Sequence, residues 1–111
     1  MGDYSDVGLA IKSECYEQFV KSNKDISIVL NMADKCITSK NGNHLFIWDS
    51  IKWYDIEGPI RTFHNNLKQI ENIDDYLMII IFQPDYSIER YGNWYVNDFN
   101  FEVNVSFNFE E

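Results

Sequence analysis

Bases are scarce in this sequence. Its 111 residues carry nine Lys and Arg against 18 Asp and Glu, a formal net charge of −9, and a field of that sign repels nucleic acid and anionic membranes while attracting basic partners. Long apolar runs are missing too: the longest, residues 77–82, falls far short of the ~20 residues that a membrane-spanning helix requires. Residues 1–6 hold no basic stretch followed by an apolar one, so no secretory signal is expected. The two cysteines, Cys15 and Cys36, belong to no closely spaced pair and are expected as reduced thiols of a cytosolic protein. Histidine is limited to His44 and His64, and there is no Gly-rich phosphate loop, no Gly-x-Ser-x-Gly turn and no Cys or His cluster at metal-ligand spacing. Catalytic residues, cofactors and metals are therefore not expected.

What the chain does have is apolar and aromatic side chains, 45% and 16% of its residues. A chain of this length is expected to form a single domain, residues 1–111, with a core that closes without staples. Its acids are spread unevenly: residues 1–54 hold seven against six bases, residues 55–84 five against two, and residues 85–111 six against Arg90 alone. The negative surface belongs to the C-terminal part.

Val7, Leu9 and Ile11 alternate with Gly8 and Ala10, which predicts a short strand crossed closely by a helix. Ser13 is placed to cap a helix running to about Ser22, with Cys15, Tyr16, Phe19 and Val20 as its buried stripe; Asp25 is placed to cap a second, with Ile26, Val29, Leu30 and Ala33. Asn41-Gly42 is the strongest hairpin signal, joining residues 35–40 to 44–48. Residues 49–54 then read either as a bulged continuation of the strand or as a turn. Ile56, Ile60, Phe63, Leu67 and Ile70 step by four, three, four and three, which predicts a helix with Asp55 as its cap and Pro59 in its first turn. Residues 76–83 are apolar almost throughout, as in a central strand buried on both faces. Residues 86–91, a Gly92-Asn93 turn and residues 94–96 predict a hairpin, and Asn97-Asp98 a turn into the last strand. That strand alternates without a break, with Phe99, Phe101, Val103, Val105, Phe107 and Phe109 on a dry face and Asn100, Glu102, Asn104, Ser106, Asn108 and Glu110 on a wet one. The order of elements predicts an α+β domain: a ferredoxin-like split β-α-β core with extra C-terminal antiparallel strands, and helices on one face of the sheet.

His44 lies beside the hairpin turn and His64 next to Phe63, and both read as surface or boundary residues. A small hydrolase or nuclease would rely on one of them with nearby carboxylates, and holding a phosphate needs bases that the second half supplies only as Arg61, Lys68 and Arg90. The pairs Asp55 and Glu57, Asp74 and Asp75, Glu110 and Glu111 read as caps and solvated turns. Trp48, Trp53, Tyr54, Tyr86, Tyr91, Trp94 and Tyr95 divide between core and rim. Lacking interleaved Lys and Arg, they do not make a base-stacking sheet, whereas Tyr and Trp at a rim suit a protein interface. The candidate partner-binding residues are Asp74, Asp75, Asp85, Glu89, Asp98 and Glu102 with Tyr86, Tyr91 and Trp94. Acids on an edge strand also serve to prevent sheet-to-sheet aggregation. Duplex DNA carries one charge per ~1.7 Å, so the net charge matches only about 15 Å of duplex. On one strand, at ~3.4 Å per residue, Asp98 and Glu102 stand roughly 13 Å apart. Mimicry of a nucleic acid thus requires acids from several loops and strands on one surface.

The stretch His44-Leu45-Phe46-Ile47-Trp48-Asp49-Ser50-Ile51-Lys52-Trp53-Tyr54-Asp55, followed by an amphipathic helix and an acidic strand region, resembles a group of small acidic bacteriophage accessory proteins of uncharacterised activity. They too begin with a short apolar strand like residues 7–11, and this chain departs from them in its Asn- and Phe-rich tail. The resemblance implies an accessory protein acting in the bacterial host cytoplasm, and it carries over no catalytic residue. By analogy of class, such proteins inhibit host restriction, CRISPR or other defence machinery. The expected partner is a basic host protein, such as a nucleic-acid-binding effector, and no direct nucleic acid or membrane contact is expected. The alternative is a self-associating or virion-linked protein whose terminal strand pairs across a two-fold axis, so the oligomeric state stands open between monomer and homodimer.

Overall fold

Alternation in the first strand builds the middle of the sheet. In the computed structural model, which describes residues 4–53, 58–83, 87–95, 97–103 and 107–109 and only the backbone at 102, 103 and 108, β1 (Ser5–Ile11) turns Val7, Leu9 and Ile11 to one face and Ala10 to the other. It pairs antiparallel with β3 (His44–Ile51) on one side and β4 (Tyr76–Phe82) on the other. β2 (Lys35–Thr38) adds to β3, and β5 (Ser87–Gly92) adds to β4. The result is a five-stranded antiparallel sheet of order β2-β3-β1-β4-β5, and the protein is a small α+β domain with three helices. β4 is buried from Tyr76 to Ile81, as its apolar run requires of a strand covered on both faces. Residues 49–51 continue β3 past a bulge: Ser5 pairs with Ile51 but Val7 with Trp48, and Ser50 takes a φ of 50°.

The Val7 face carries α1 (Ser13–Ser22), α2 (Lys24–Asn31) and α3 (Gly58–Lys68). Cys15 and Phe19, then Ile26, Val29 and Leu30, then Phe63 and Leu67 pack on Val7, Leu9, Ile11, Phe46, Trp48, Met78 and Ile80, at the spacing of helical stripes. Trp48 is fully buried and satisfies its indole by donating Nε1–H to the Val29 carbonyl at 2.9 Å. The caps differ from expectation. Ser13 is already helical, and its N–H is satisfied by Asn43 Oδ1 at 2.9 Å, a side chain of the β2–β3 turn. Asn23, extended at φ −163°, caps α2 by accepting from the Asp25 N–H at 2.9 Å, because a cap must sit outside the helical conformation that Asp25 has entered. The expected cap Asp55 and the stripe residue Ile56 lie outside the described residues. His64, expected at a surface or boundary, is buried at 2% exposure. It flanks Phe63 on a stripe broad enough to face Trp53, whose Nε1–H donates to His64 Nε2.

The opposite face belongs to the end of the chain. Ala10, Leu45, Ile47, Leu77, Ile79 and Ile81 are covered by Trp94, Phe99 and Phe101, with Phe107 and Phe109 half-buried against them. The small residues of β1 therefore admit this segment, not a helix: a Cβ on Gly8 would run into the Phe101 ring. The segment is also not one strand. Asn97 Oδ1 accepts from the Phe99 and Phe101 N–H groups at 3.1 and 2.9 Å, and Asn100 takes a φ of 47°. After this side-chain-organised turn, β6 (Glu102–Val103) pairs with β7 (Phe107–Asn108) as a separate two-stranded piece. An Asn side chain bonding its own backbone competes with a sheet ladder, and apolar–polar alternation reads the same in one strand and in two arms of a hairpin.

The hairpin expected at Gly92-Asn93 does not form either. Gly92 sits at φ 84° with the Tyr76 carbonyl where a Cβ would be. Asn93 N–H donates to the Ile73 carbonyl at 2.7 Å and Trp94 N–H to the Tyr76 carbonyl at 3.1 Å. β5 instead follows β4 directly in an antiparallel pair. Val96 and residues 104–106 lie outside the described residues.

Candidate functional site

Four of the chain's acids, Glu14, Asp74, Asp75 and Asp98, lie at the end of the sheet where β1 stops. Lys12, the residue after β1, donates its backbone N–H to the Asp75 carbonyl at 2.9 Å and sets its Nζ 3.4 Å from Asp75 Oδ1. Asp75 closes a short 3₁₀ turn, Ile73–Asp75, whose Asp74 is exposed and whose start is held by Asn72 Oδ1 accepting from Asp74 N–H at 3.2 Å. On the other side of Lys12 lies Asp98. Its Oδ2 accepts from Ser39 Oγ at 2.7 Å, Asn43 Nδ2 at 2.7 Å and Asn41 Nδ2 at 3.3 Å. Those hydrogen bonds, Ser39's first, hold the Asp98 carboxyl below its ordinary range, with a further contribution from Lys12. Glu14, exposed in the first turn of α1, lines a shallow pocket with Lys12, Asn41 and Asn43. Lys40, exposed on the β2–β3 turn, lines a shallow pocket with Asp98 and adds a second base here.

Among the sequence-predicted residues, Asp74, Asp75 and Asp98 therefore share one end of the sheet, and Asp98 doubles as the tie between the β2–β3 turn and the C-terminal segment. Glu89 and Tyr91 lie apart, on the helix side of edge strand β5, where Tyr91 Oη donates to Glu89 Oε2 at 2.8 Å. Tyr91 also sits edge-on to His64 with ring centroids 5.5 Å apart and carries Lys68 Nζ 5.4 Å above its ring. Trp94 is a core residue at 8% exposure, with Lys12 Nζ 5.7 Å from its ring centre. Asp85 and Tyr86 lie outside the described residues, and Glu102 is placed only by its backbone in β6. Two residues emerge that the sequence reading left out of the site: Tyr95, 55% exposed, and Ile73, 47% exposed. Alternation along 94–95 puts one ring in and one out, and only the packing of Trp94 tells which.

A second gathering of acids occupies the far end of the sheet. Asp34 Oδ2 accepts from Asp49 N–H at 2.6 Å, and Asp6 Oδ1 accepts from Ser50 N–H at 2.9 Å at the β3 bulge. Partial burial, then Asp34 and Asp6, push the Asp49 carboxyl above its ordinary value. This group is made by strand register, and no local sequence signal announces it.

The nucleophile candidates sit in unactivated settings. Cys15 lines a cleft of about 400 Å³ between α1 and the end of α3, with Gln18, Ser22, Asn66, Gln69 and Asn72. Burial, then Asp75, push its thiol up to about 11. The Cys36 thiol on β2 is raised by burial, and burial lowers His44, which shares a hydrogen bond with Thr38 Oγ1 and packs on Tyr16 at 4.3 Å. A reactive thiol needs the opposite shift. Both cysteines are free. Among the described residues no three His, Cys, Asp or Glu are grouped to hold a metal ion, and no helix is long and apolar enough to cross a membrane. Compared with known proteins, the chain matches no family model, no curated protein and no solved structure.

Proposed function

We propose that this is a non-enzymatic phage accessory protein of the bacterial host cytoplasm, built on a ferredoxin-like split β-α-β core, that binds and blocks a basic host protein. The strand order supports the core assignment, since β3 lies between β2 and β1 while β1 lies between β3 and β4. The observation that carries the binding reading is the grouping of Glu14, Asp75 and Asp98 about Lys12 at one end of the sheet, with exposed Asp74 next to Asp75, in a chain of net charge −9. Such a corner accelerates encounter with a positive surface, including one that otherwise holds nucleic acid. Self-association through a long terminal strand has less to work with, because β6 and β7 are two residues each.

Affinity capture from a bacterial lysate tests the reading, with wild type compared to the double variant Asp74→Lys, Glu14→Lys. The expected outcome is a basic protein that elutes with salt and is lost from the variant. Capture that ignores both salt and charge reversal would sink the proposal.

A further inference from the structure

Two large apolar side chains are left in water beside the acids, and they share one backbone junction. Asn93 N–H donates to the Ile73 carbonyl at 2.7 Å and Tyr95 N–H donates to the Asn93 carbonyl at 2.7 Å, so Ile73 and Tyr95 are linked through a single residue. Their exposures, 47% and 55%, contrast with the 8% of Trp94, the residue before Tyr95. The turn that carries Ile73 continues directly into Asp74 and Asp75, and the base within reach, Lys12, is already engaged by Asp75. An exposed aliphatic and an exposed aromatic side chain next to the exposed acid Asp74 match the anatomy of an interface anchor with a charged rim.

We infer that Ile73 and Tyr95 dock an apolar side chain of a partner protein, one bracketed in its sequence by Lys or Arg. The inference rests on the acidic-corner reading above and adds the chemistry of the occupant. Charge complementarity selects a basic segment, and the apolar pair selects a protein segment with a hydrophobic residue over a bare phosphate-binding groove. The two parts act on different quantities: desolvated anchors set how long the complex lasts, while rim charges set how fast it forms and how salt weakens it.

The test uses the full chain and two short synthetic peptides of Lys, Arg and Gly, identical except that one carries a central Leu where the other has Gly. Titrations are followed through the amide resonances of residues 73–75 and 93–95. The expected result is that the Leu peptide binds about tenfold tighter, and that the preference vanishes in Tyr95→Ser and Ile73→Ser while the salt dependence of both peptides stays. Equal binding of the two peptides to wild type, or a Leu preference that survives in both variants, overturns the apolar anchor and leaves the acidic surface standing. Binding of neither peptide, even at low salt, removes the acidic reading together with it.

Discussion

One face of the sheet is covered by three helices and the other by Trp94 and a strap of chain from Asn97 onward, and the two covers are held by different physics. On the helix side, each segment makes its own register: Phe19, Val29 and Phe63 arrive at the core because a helix returns a side chain to the same face every three or four residues. On the strap side the described apolar residues alternate in sequence, but no single regular element seats them. Phe101 fits because Gly8 leaves room for its ring, the turn holds because Asn97 bonds its own backbone, and Asp98 fastens the whole to Ser39, Asn41 and Asn43. The lesson is that the strap depends on a few long-range fits, each removable by one substitution, whereas the helical cover is spread over many.

The difference can be broken at several strengths. Phe63→Ala, in the middle of the helical cover between Phe19, Trp48 and Trp53, should lower stability by about 3–5 kcal/mol in a single cooperative transition, measured by chemical denaturation. Gly8→Ala should cost about 1–3 kcal/mol by driving a methyl into the Phe101 ring. Most of that cost should disappear when Phe101 is already Ala, a coupling that a double-mutant cycle reads directly.

Asp98→Ala should cost on the order of 1 kcal/mol, small because the carboxyl is exposed. The pH dependence follows from its sign. A carboxyl depressed in the fold contributes stability that is present above its unfolded value of about 3.9 and is lost as pH falls through the folded one. The wild type should therefore shed this contribution only in acid, and Asp98→Asn should lack that step in the melting profile. Asp49 runs the other way. Its carboxyl is raised by burial, Asp34 and Asp6, so its charged form is disfavoured at neutral pH and relieved on acidification. Asp49→Asn should raise neutral-pH stability, by less than about 1 kcal/mol.

The legible parts of this fold are those where one segment contains its own evidence. The stripes of α1, α2 and α3 and the doubly buried β4 read directly from spacing, and the Asn41-Gly42 turn from its chemistry. What did not read were arrangements between distant segments. Asn43 caps a helix that begins at Ser13, and neither residue advertises the other. Alternation from Phe99 onward described which side chains are dry and was silent on Asn97 and Asn100 breaking the strand. In the candidate site, Asp74 and Asp75 were legible as a solvated turn. The tie from Asp98 to the β2–β3 turn, and the choice of Tyr95 over Trp94 as the exposed ring, depend on how the strap crosses the sheet.

We propose recognition at the 3₁₀ corner, because the acid of edge strand β5 accepts a hydrogen bond from its own neighbour Tyr91. Capture of a basic host protein by Asp74→Lys and by Glu89→Lys, each with its melting temperature recorded, separates the two. Loss of capture in Asp74→Lys with retention in Glu89→Lys is the predicted result, and the reverse, or equal capture by both, would contradict it.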